Sequence, residues 1–334
     1  SLGDSLSEQK YSDAAMHFAA NQVASLIRKY PYPKGTVNTD PEGRAVELFF
    51  RNERKCSRRN RFFDLLKKRN PYEQEFSRAR SWIQYVIGPA PNIEGILERT
   101  GFGNGANVGV HGNATHVGRK ISSHEWTCTP GAYTLGFNAV ISHTQLRYQL
   151  FEKRGGYYCL DGTYAFQKYR ERTKIIAYNK IAFVPKTAKI HRTIAVEPLV
   201  NGFLQKGADL YLRSCLRRVN IDLRDQTRNQ QMARKGSMLD SEDSFVTIDL
   251  SSASDCISIG LVRDLLPPDW FYLLDSIRSK EYMVDGKVSK YHKFCSMGNG
   301  FCFPLETLIF CAVCFACGCG TPGQDFSVYG DDII

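Results

Sequence analysis

Phe326-Ser327-Val328-Tyr329-Gly330-Asp331-Asp332 is a short apolar run that ends in a glycine and two adjacent carboxylates. Asp is almost never buried without a partner. A strand that delivers two of them to a turn is therefore one of two things. It is a solvated surface turn, which favours these residue types, or it is an oxygen-rich site for a hard divalent cation such as Mg²⁺. Gly330 permits a positive φ where the turn needs one. The tetrapeptide alone fits both readings, and the segments upstream of it separate them.

Residues 245–250 form an apolar run that reads as a buried strand, with Asp249 near its end. Residues 257–266 read as a helix that stops at Pro267-Pro268, and Asp269 is placed to cap the next helix, 270–279. Asp285-Gly286 between short strand-like runs signals a hairpin. Residues 301–317 read as a long apolar helix and 325–329 as a second short strand. Strand, helices, hairpin, helix, strand is an α+β order, with helices packed on a small sheet. In such a sheet Asp249 and Asp331 meet although 82 positions separate them. Carboxylates that bridge two divalent ions about 3.5–4 Å apart are the usual device for nucleotidyl transfer.

Within 249–255, Asp-Leu-Ser-Ser-Ala-Ser-Asp, the second carboxylate, Asp255, has the wrong offset for a shared metal and suits a hydrogen bond near a nucleotide sugar. Ser251, Ser252 and Ser254 read equally well as the polar start of a helix. Asn299 lies in Ser296-Met297-Gly298-Asn299-Gly300, just before the apolar helix. An Asp and an Asn together recognise a 2′-hydroxyl, which donates and accepts. Upstream, Lys186, Lys189 and Arg192 recur at three-residue intervals between apolar stretches. They suit a triphosphate, or else form a solvated basic loop.

The chain has 334 residues, 43% hydrophobic and 23% charged, enough for a sizeable core in two or three subdomains. Its net charge of +10 fits a phosphate-rich partner. No stretch reads as a signal peptide or is long enough to span a bilayer, so the expected setting is cytosolic, without a membrane. The eleven cysteines are scattered apart from Cys311, Cys314, Cys317 and Cys319, of which Cys311, Cys314 and Cys317 fall at three-residue intervals on an apolar helix where free Cys acts as a small hydrophobe. In the N-terminal half, residues 11–30 read as an amphipathic helix closed by Pro31, Pro33 and Gly35. Residues 44–69 read as a helix with Arg51, Arg54, Lys55, Arg58, Arg59, Arg61, Lys67, Lys68 and Arg69 against an apolar side that includes Phe49 and Phe63. It is a solvated face, or a surface for RNA backbone or an acidic partner. The glycine-rich segment 101–118 lacks a phosphate-loop ending and reads as a flexible loop, with Arg119 and Lys120 placed to touch a nucleic acid backbone.

PKTAKIHRTIAVEP (185–198), TIDLSSASD (247–255), SMGNGFCFPLETLIF (296–310) and VYGDD (328–332), in this order, resemble the levivirus replicases. These are the RNA-dependent RNA polymerases of small positive-strand RNA bacteriophages. IDLRDQT (221–227) and LLPP (265–268) extend the resemblance. It implies a right-hand polymerase of fingers, palm and thumb. Residues 1–180 would be the basic, mostly helical N-terminal and fingers region. Residues 181–242 would be fingers with the triphosphate motif, and 243–334 an incomplete palm. It implies two Mg²⁺ ions, with Mn²⁺ as an alternative, on Asp249, Asp331 and Asp332. Nucleotide would be bound by Lys186, Lys189, Arg192, Asp255, Ser296, Gly298 and Asn299. It further implies RNA template and product, ribonucleoside triphosphates, and host elongation factors Tu and Ts as partners in the infected bacterial cytoplasm, with ribosomal protein S1 for some templates. Family chains continue past the carboxylate hairpin, so a palm cut after that motif, without a thumb and poorly active, is expected. The alternatives are an inactive RNA-binding remnant and a reverse transcriptase, which Asp255 disfavours.

Overall fold

The computed structural model describes residues 13–30, 40–66, 70–154, 156–238 and 245–334. The labelled elements are α1 (Ala14–Lys29), α2 (Pro41–Leu66), α3 (Glu73–Ile87), β1 (Tyr178–Pro185), β2 (His191–Val196), α4 (Leu199–Arg218), α5 (Thr227–Met238), β3 (Ile248–Asp249), α6 (Ile259–Leu265), α7 (Pro268–Ile277), β4 (Glu281–Val284), β5 (Lys287–Lys290), α8 (Cys302–Ala316), β6 (Val328–Tyr329) and β7 (Asp332–Ile333). The fold is α+β. No helix among the described residues is long and apolar enough to cross a membrane.

The described residues divide into two compact units, one of 13–30, 40–52 and Ala182–Ile194, the other of Glu53–Ile181 and Ala195–Ile334. In the smaller unit, Asp13 caps α1 by accepting from the Ala15 amide at 2.8 Å. The Ala188 amide donates to the Arg28 carbonyl at 2.9 Å. The helix expected from residue 11 is described from Ala14, and Tyr11, Pro31, Pro33 and Gly35 lie outside the described residues. So do Lys67, Lys68 and Arg69 of the basic helix.

The larger unit is built on α8. Its 15 residues carry one charged side chain, and most of them are buried. A helix that is apolar nearly all round must be enclosed, and α8 packs chiefly on α3 and α4. Positive φ at Gly318 and Gly320 lets the chain turn away after its last turn. Trp270 of α7 is fully buried and donates its indole N–H to the Ile87 carbonyl at 3.1 Å. Full burial of such side chains contributes roughly 1.5–3 kcal/mol or more each. One sheet runs β2-β1-β4-β5; β4 lies parallel to β1 and antiparallel to β5. Asp285 and Gly286, both at positive φ, form the expected tight turn between β4 and β5.

Three local expectations are corrected. The strand expected over 245–250 is only Ile248–Asp249, and it is not buried: Val246 is 68% and Ile248 49% exposed. Its apolar residues are in solvent because, among the described residues, no second layer covers them. Asp269 lies inside the first turn of α7, while Pro267 holds the cap position, since proline needs no amide partner there. Lys120 is fully buried, with Nζ donating to the carbonyls of Gly103 and Gly105 at 2.6 and 2.5 Å. It pins the glycine-rich segment from inside and is not available to a nucleic acid backbone.

Candidate active site

Two-residue strands bring the carboxylates together. β6, β7 and β3 form a three-stranded antiparallel sheet in the order β6-β7-β3. Asp332 sits directly opposite Asp249, and Ile333 opposite Ile248. Directly opposed residues project to the same face of a sheet, so both carboxylates lie on one side. Asp331 occupies the two-residue turn between Tyr329 and Asp332. Gly330, with φ +65, takes the first turn position, which a type II′ hairpin reserves for glycine. Burial pushes the Asp332 carboxyl above its ordinary pKa, and the charges of Asp331 and Asp249 push it in the same direction. The three acids therefore share one electrostatic environment.

The hairpin is held from two sides. The Gly330 amide donates to Thr307 Oγ1 of α8 at 3.0 Å. One helical turn earlier, Phe303 packs edge-on against Tyr329, with ring centroids 5.1 Å apart. A side chain at position 330 would overlap the Phe303 ring, so the glycine is required by space as well as by φ. Just before α5, Gln226 Nε2 donates to Asp332 Oδ2 at 3.0 Å, and from α5 Asn229 Nδ2 donates to the Asp332 carbonyl at 3.3 Å. The Ser327 hydroxyl donates to Asn229 Oδ1 at 2.7 Å. Segment 221–227 thus leads into a brace for Asp332, a role its composition did not disclose.

Asp255 follows a left-handed Ser252 (φ +57), which starts the short helix Ala253–Cys256. Its Oδ1 accepts from Lys293 Nζ at 2.6 Å, and Lys293 is 1% exposed. Glu53, also buried, accepts from the His292 amide at 2.7 Å. Burial raises its pKa, an effect the Lys293 charge partly offsets. On α8, Glu306 is buried, and its pKa is pushed up to about 8 by burial and by the charges of Asp331 and Asp255. Neither Lys293 nor Glu306 stood out in the sequence reading. The available signal was Glu306 as the one charge in an apolar helix, since a buried acid demands a reason.

Ser296, Gly298 and Asn299 form a braced loop at the start of α8. The Ala195 amide donates to the Met297 carbonyl at 2.7 Å, and the Gly300 amide to Gln205 Oε1 at 3.0 Å. Gly298 adopts φ +107, and a Cβ there would overlap the Ala195 carbonyl oxygen. Asn299 is buried; its Oδ1 accepts from the Phe301 amide at 3.1 Å, and its amide donates to the Ser296 carbonyl at 2.9 Å. Lys186, Lys189 and Arg192 are all exposed on and after the turn between β1 and β2, in the smaller compact unit. There the Thr187 amide donates to the Ile190 carbonyl at 3.1 Å. On α2, Arg51, Arg54, Lys55, Arg58, Arg59 and Arg61 are likewise exposed.

A family model described as RNA replicase, beta-chain, matches residues 6–334. The RNA-directed RNA polymerase subunit beta of Escherichia virus Qbeta is 35% identical over 327 residues, 93% of this chain and 49% of the relative. The RNA-directed RNA polymerase beta chain of Enterobacteria phage GA is 40% identical over 241 residues, 72% of this chain and 42% of the relative. That of Escherichia phage MS2 is 45% identical over 166 residues, 48% of this chain and 29% of the relative. The chain spans about half the length of the curated relatives that match it most fully.

Proposed function

The chain belongs to the RNA replicase beta-chain family of the levivirus-type bacteriophages, and from that membership we propose that it carries the catalytic carboxylates of an RNA-directed RNA polymerase. The observation that carries the proposal is the direct cross-strand pairing of Asp249 with Asp332, with Asp331 in the adjoining turn. Asp332, whose proton affinity is raised by burial and by the charges of Asp331 and Asp249, sits in a setting a divalent cation relieves. Among the described residues no three His, Cys, Asp or Glu side chains are gathered into a ready-made metal cluster. Asp249, Asp331 and Asp332 fit Mg²⁺, or Mn²⁺, by donor chemistry, with Asp249 and Asp332 on one face of the three-stranded sheet and Asp331 in the adjoining turn. When bound, two such ions would supply charge neutralisation at the reacting phosphate and activation of the attacking hydroxyl.

The chain's own residues have distinct tasks in this reading. Gln226 and Asn229 fix the orientation of Asp332, and Thr307 fixes the turn that bears Asp331. Asp255 is held by Lys293, which orients its carboxylate for a place beside the sugar. Ser296, Gly298 and Asn299 form the rigid loop on which the nucleotide rests. Lys186, Lys189 and Arg192 carry the triphosphate, and the exposed cations of α2 meet template or product RNA. The larger unit corresponds in this reading to palm with part of the fingers. The strands under the carboxylates are two residues long, and β3 is exposed. We infer on that ground that the 334 residues alone extend primers poorly. Host elongation factors Tu and Ts, and ribosomal protein S1 for some templates, are the proposed partners in the bacterial cytoplasm.

The deciding experiment is primer extension by a protein of the relatives' full length that contains this chain. Asp331→Asn is expected to abolish ribonucleotide incorporation and leave RNA binding within about twofold. Undiminished synthesis would refute the assignment.

A further inference from the structure

We propose that α2 is a coupling helix: RNA backbone bound on its outer, cationic face seats its inner face against the segment that bears Asp255, so that RNA occupancy tightens the nucleotide site. The inference rests on the polymerase reading and deepens it. Glu53, Cys56, Asn60 and Phe63 recur at three- and four-residue spacing and so share the inner face of the helix. Each of them reaches the chain beside the Asp255–Lys293 ion pair. Cys56 Sγ donates to the Asp255 carbonyl at 3.4 Å. Glu53 Oε2 accepts from the His292 amide at 2.7 Å. Phe63 packs against Gly260, where an added Cβ would lie 2.9 Å from the Phe63 Cβ.

Asn60 joins both sides of the pair. Its Oδ1 accepts from the Gly260 amide at 2.7 Å, and its Nδ2 donates to the His292 carbonyl at 2.9 Å. Those groups lie on two segments already bonded to each other. The Phe294 amide donates to the Ile257 carbonyl at 2.8 Å, and the Ile259 amide to the His292 carbonyl at 3.2 Å. Asn60 closes the end of this ladder as a peptide group would, and the ladder holds Lys293 Nζ at 2.6 Å from Asp255 Oδ1. The orientation of the Asp255 carboxylate therefore depends on where α2 sits. The seat is not a relaxed one, because Glu53 is 4% exposed and its Oε1 is enclosed with no hydrogen-bond partner. Such a group costs folding free energy, so a ligand on the outer face can bias the seating.

The outer face fits a polyanion. Residues 54–61 hold five cations and no acid. Arg54, Lys55, Arg58, Arg59 and Arg61 are all exposed, and none of their side chains is in an ion pair among the described residues. Lys55 adjoins Cys56, which touches Asp255 itself, so this face borders the nucleotide site. In the polymerase reading the polyanion is RNA. A strand that runs from α2 to the carboxylates engages both only with α2 seated, which gives RNA the differential affinity that coupling requires.

The test is equilibrium binding of GTP, in Mg²⁺, to a protein of the relatives' full length that contains this chain, with and without saturating oligoadenylate. Oligoadenylate does not pair with GTP, so base pairing is no source of coupling. RNA is expected to raise GTP affinity roughly fivefold to thirtyfold, and GTP to raise oligoadenylate affinity by the same factor. Asn60→Ala should bring that factor near one. Where alanine does not fold, Asn60→Asp replaces it, since it keeps the acceptor and loses the donor. Arg54→Ala with Arg58→Ala should weaken oligoadenylate binding and lower its salt slope by about two. A wild-type factor of one overturns the inference, and so does an unchanged factor in the Asn60 variant. GTP affinity that falls equally with and without RNA in that variant does the same, because it marks a packing role alone. An unchanged salt slope in the double variant also overturns it and would give the outer face to an acidic protein. Wild-type protein that binds neither GTP nor oligoadenylate overturns the polymerase reading itself.

Discussion

Asp249 and Asp332 stand opposite each other across an antiparallel strand pair. Like charges directly opposed on a sheet face destabilise it, so the fold tolerates this arrangement for a reason other than stability. Asp332→Asn is expected to reduce nucleotide incorporation in the full-length protein on the order of a hundredfold or more. The same variant should melt no lower than wild type. Because Asp332 is exposed, solvent screening limits the gain to a few tenths of a kcal/mol. A variant that loses activity and stability together would mean the pair is structural.

Gly330→Ala and Gly298→Ala should both destabilise by about 1–3 kcal/mol, since each combines a positive φ with overlap against a fixed neighbour. The neighbours differ in how they yield. Phe303 is a side chain and can shift; the Ala195 carbonyl is backbone and cannot without breaking its strand. Urea unfolding should therefore rank Gly298→Ala as the costlier of the two.

Lys293→Met should cost about 3–5 kcal/mol, because it strands the partly buried Asp255 carboxylate and removes the charge that offsets the burial of Glu53. Adding Asp255→Asn to it should recover part of that loss. Chemical denaturation of the single and double variants measures the coupling, and simple additivity would mean the pair does not interact.

Glu306 predicts an unusual pH dependence. Its carboxyl is raised from 4.5 to about 8 in the folded chain by burial, Asp331 and Asp255. A carboxyl raised on folding binds its proton more tightly in the native state, so stability is greatest at low pH and falls as pH rises from about 4.5 to about 8. The loss across that window should be on the order of a few kcal/mol. In Glu306→Gln the decline should be largely absent when unfolding free energies at pH 5 and pH 8 are compared without divalent cations. A parallel decline in both proteins would assign it to other groups.

The apolar helix around residues 301–317 and the Asp285-Gly286 turn were legible because each depends on local chemistry. Periodicity marks a buried helix, and φ > 0 selects the turn residues. Long-range partners were not legible. Lys293 lies in a mixed run beside Tyr291 and Phe294, where nothing local says that its ammonium is buried against Asp255. Lys120 reads as one more cation beside Arg119, and only the folded glycine-rich segment puts backbone carbonyls around its Nζ. Strand length at 245–250 was misjudged because apolar composition speaks for burial only where a second layer covers it, and Val246 and Ile248 have none.

The hydrogen bond from Gly330 to Thr307 ties the acid-bearing turn to a helix that begins just after Asn299. Between Asn299 and Thr307 the spacing is largely set by helical rise, about 1.5 Å per residue. In the proposed reading, sugar discrimination and acid placement would therefore be referred to one common datum. A thermal displacement of that helix carries both with it and leaves their separation unchanged, so drift in one cannot accumulate independently of the other. In a replicating population, substitutions along this helix would be screened on copying accuracy and copying rate at once.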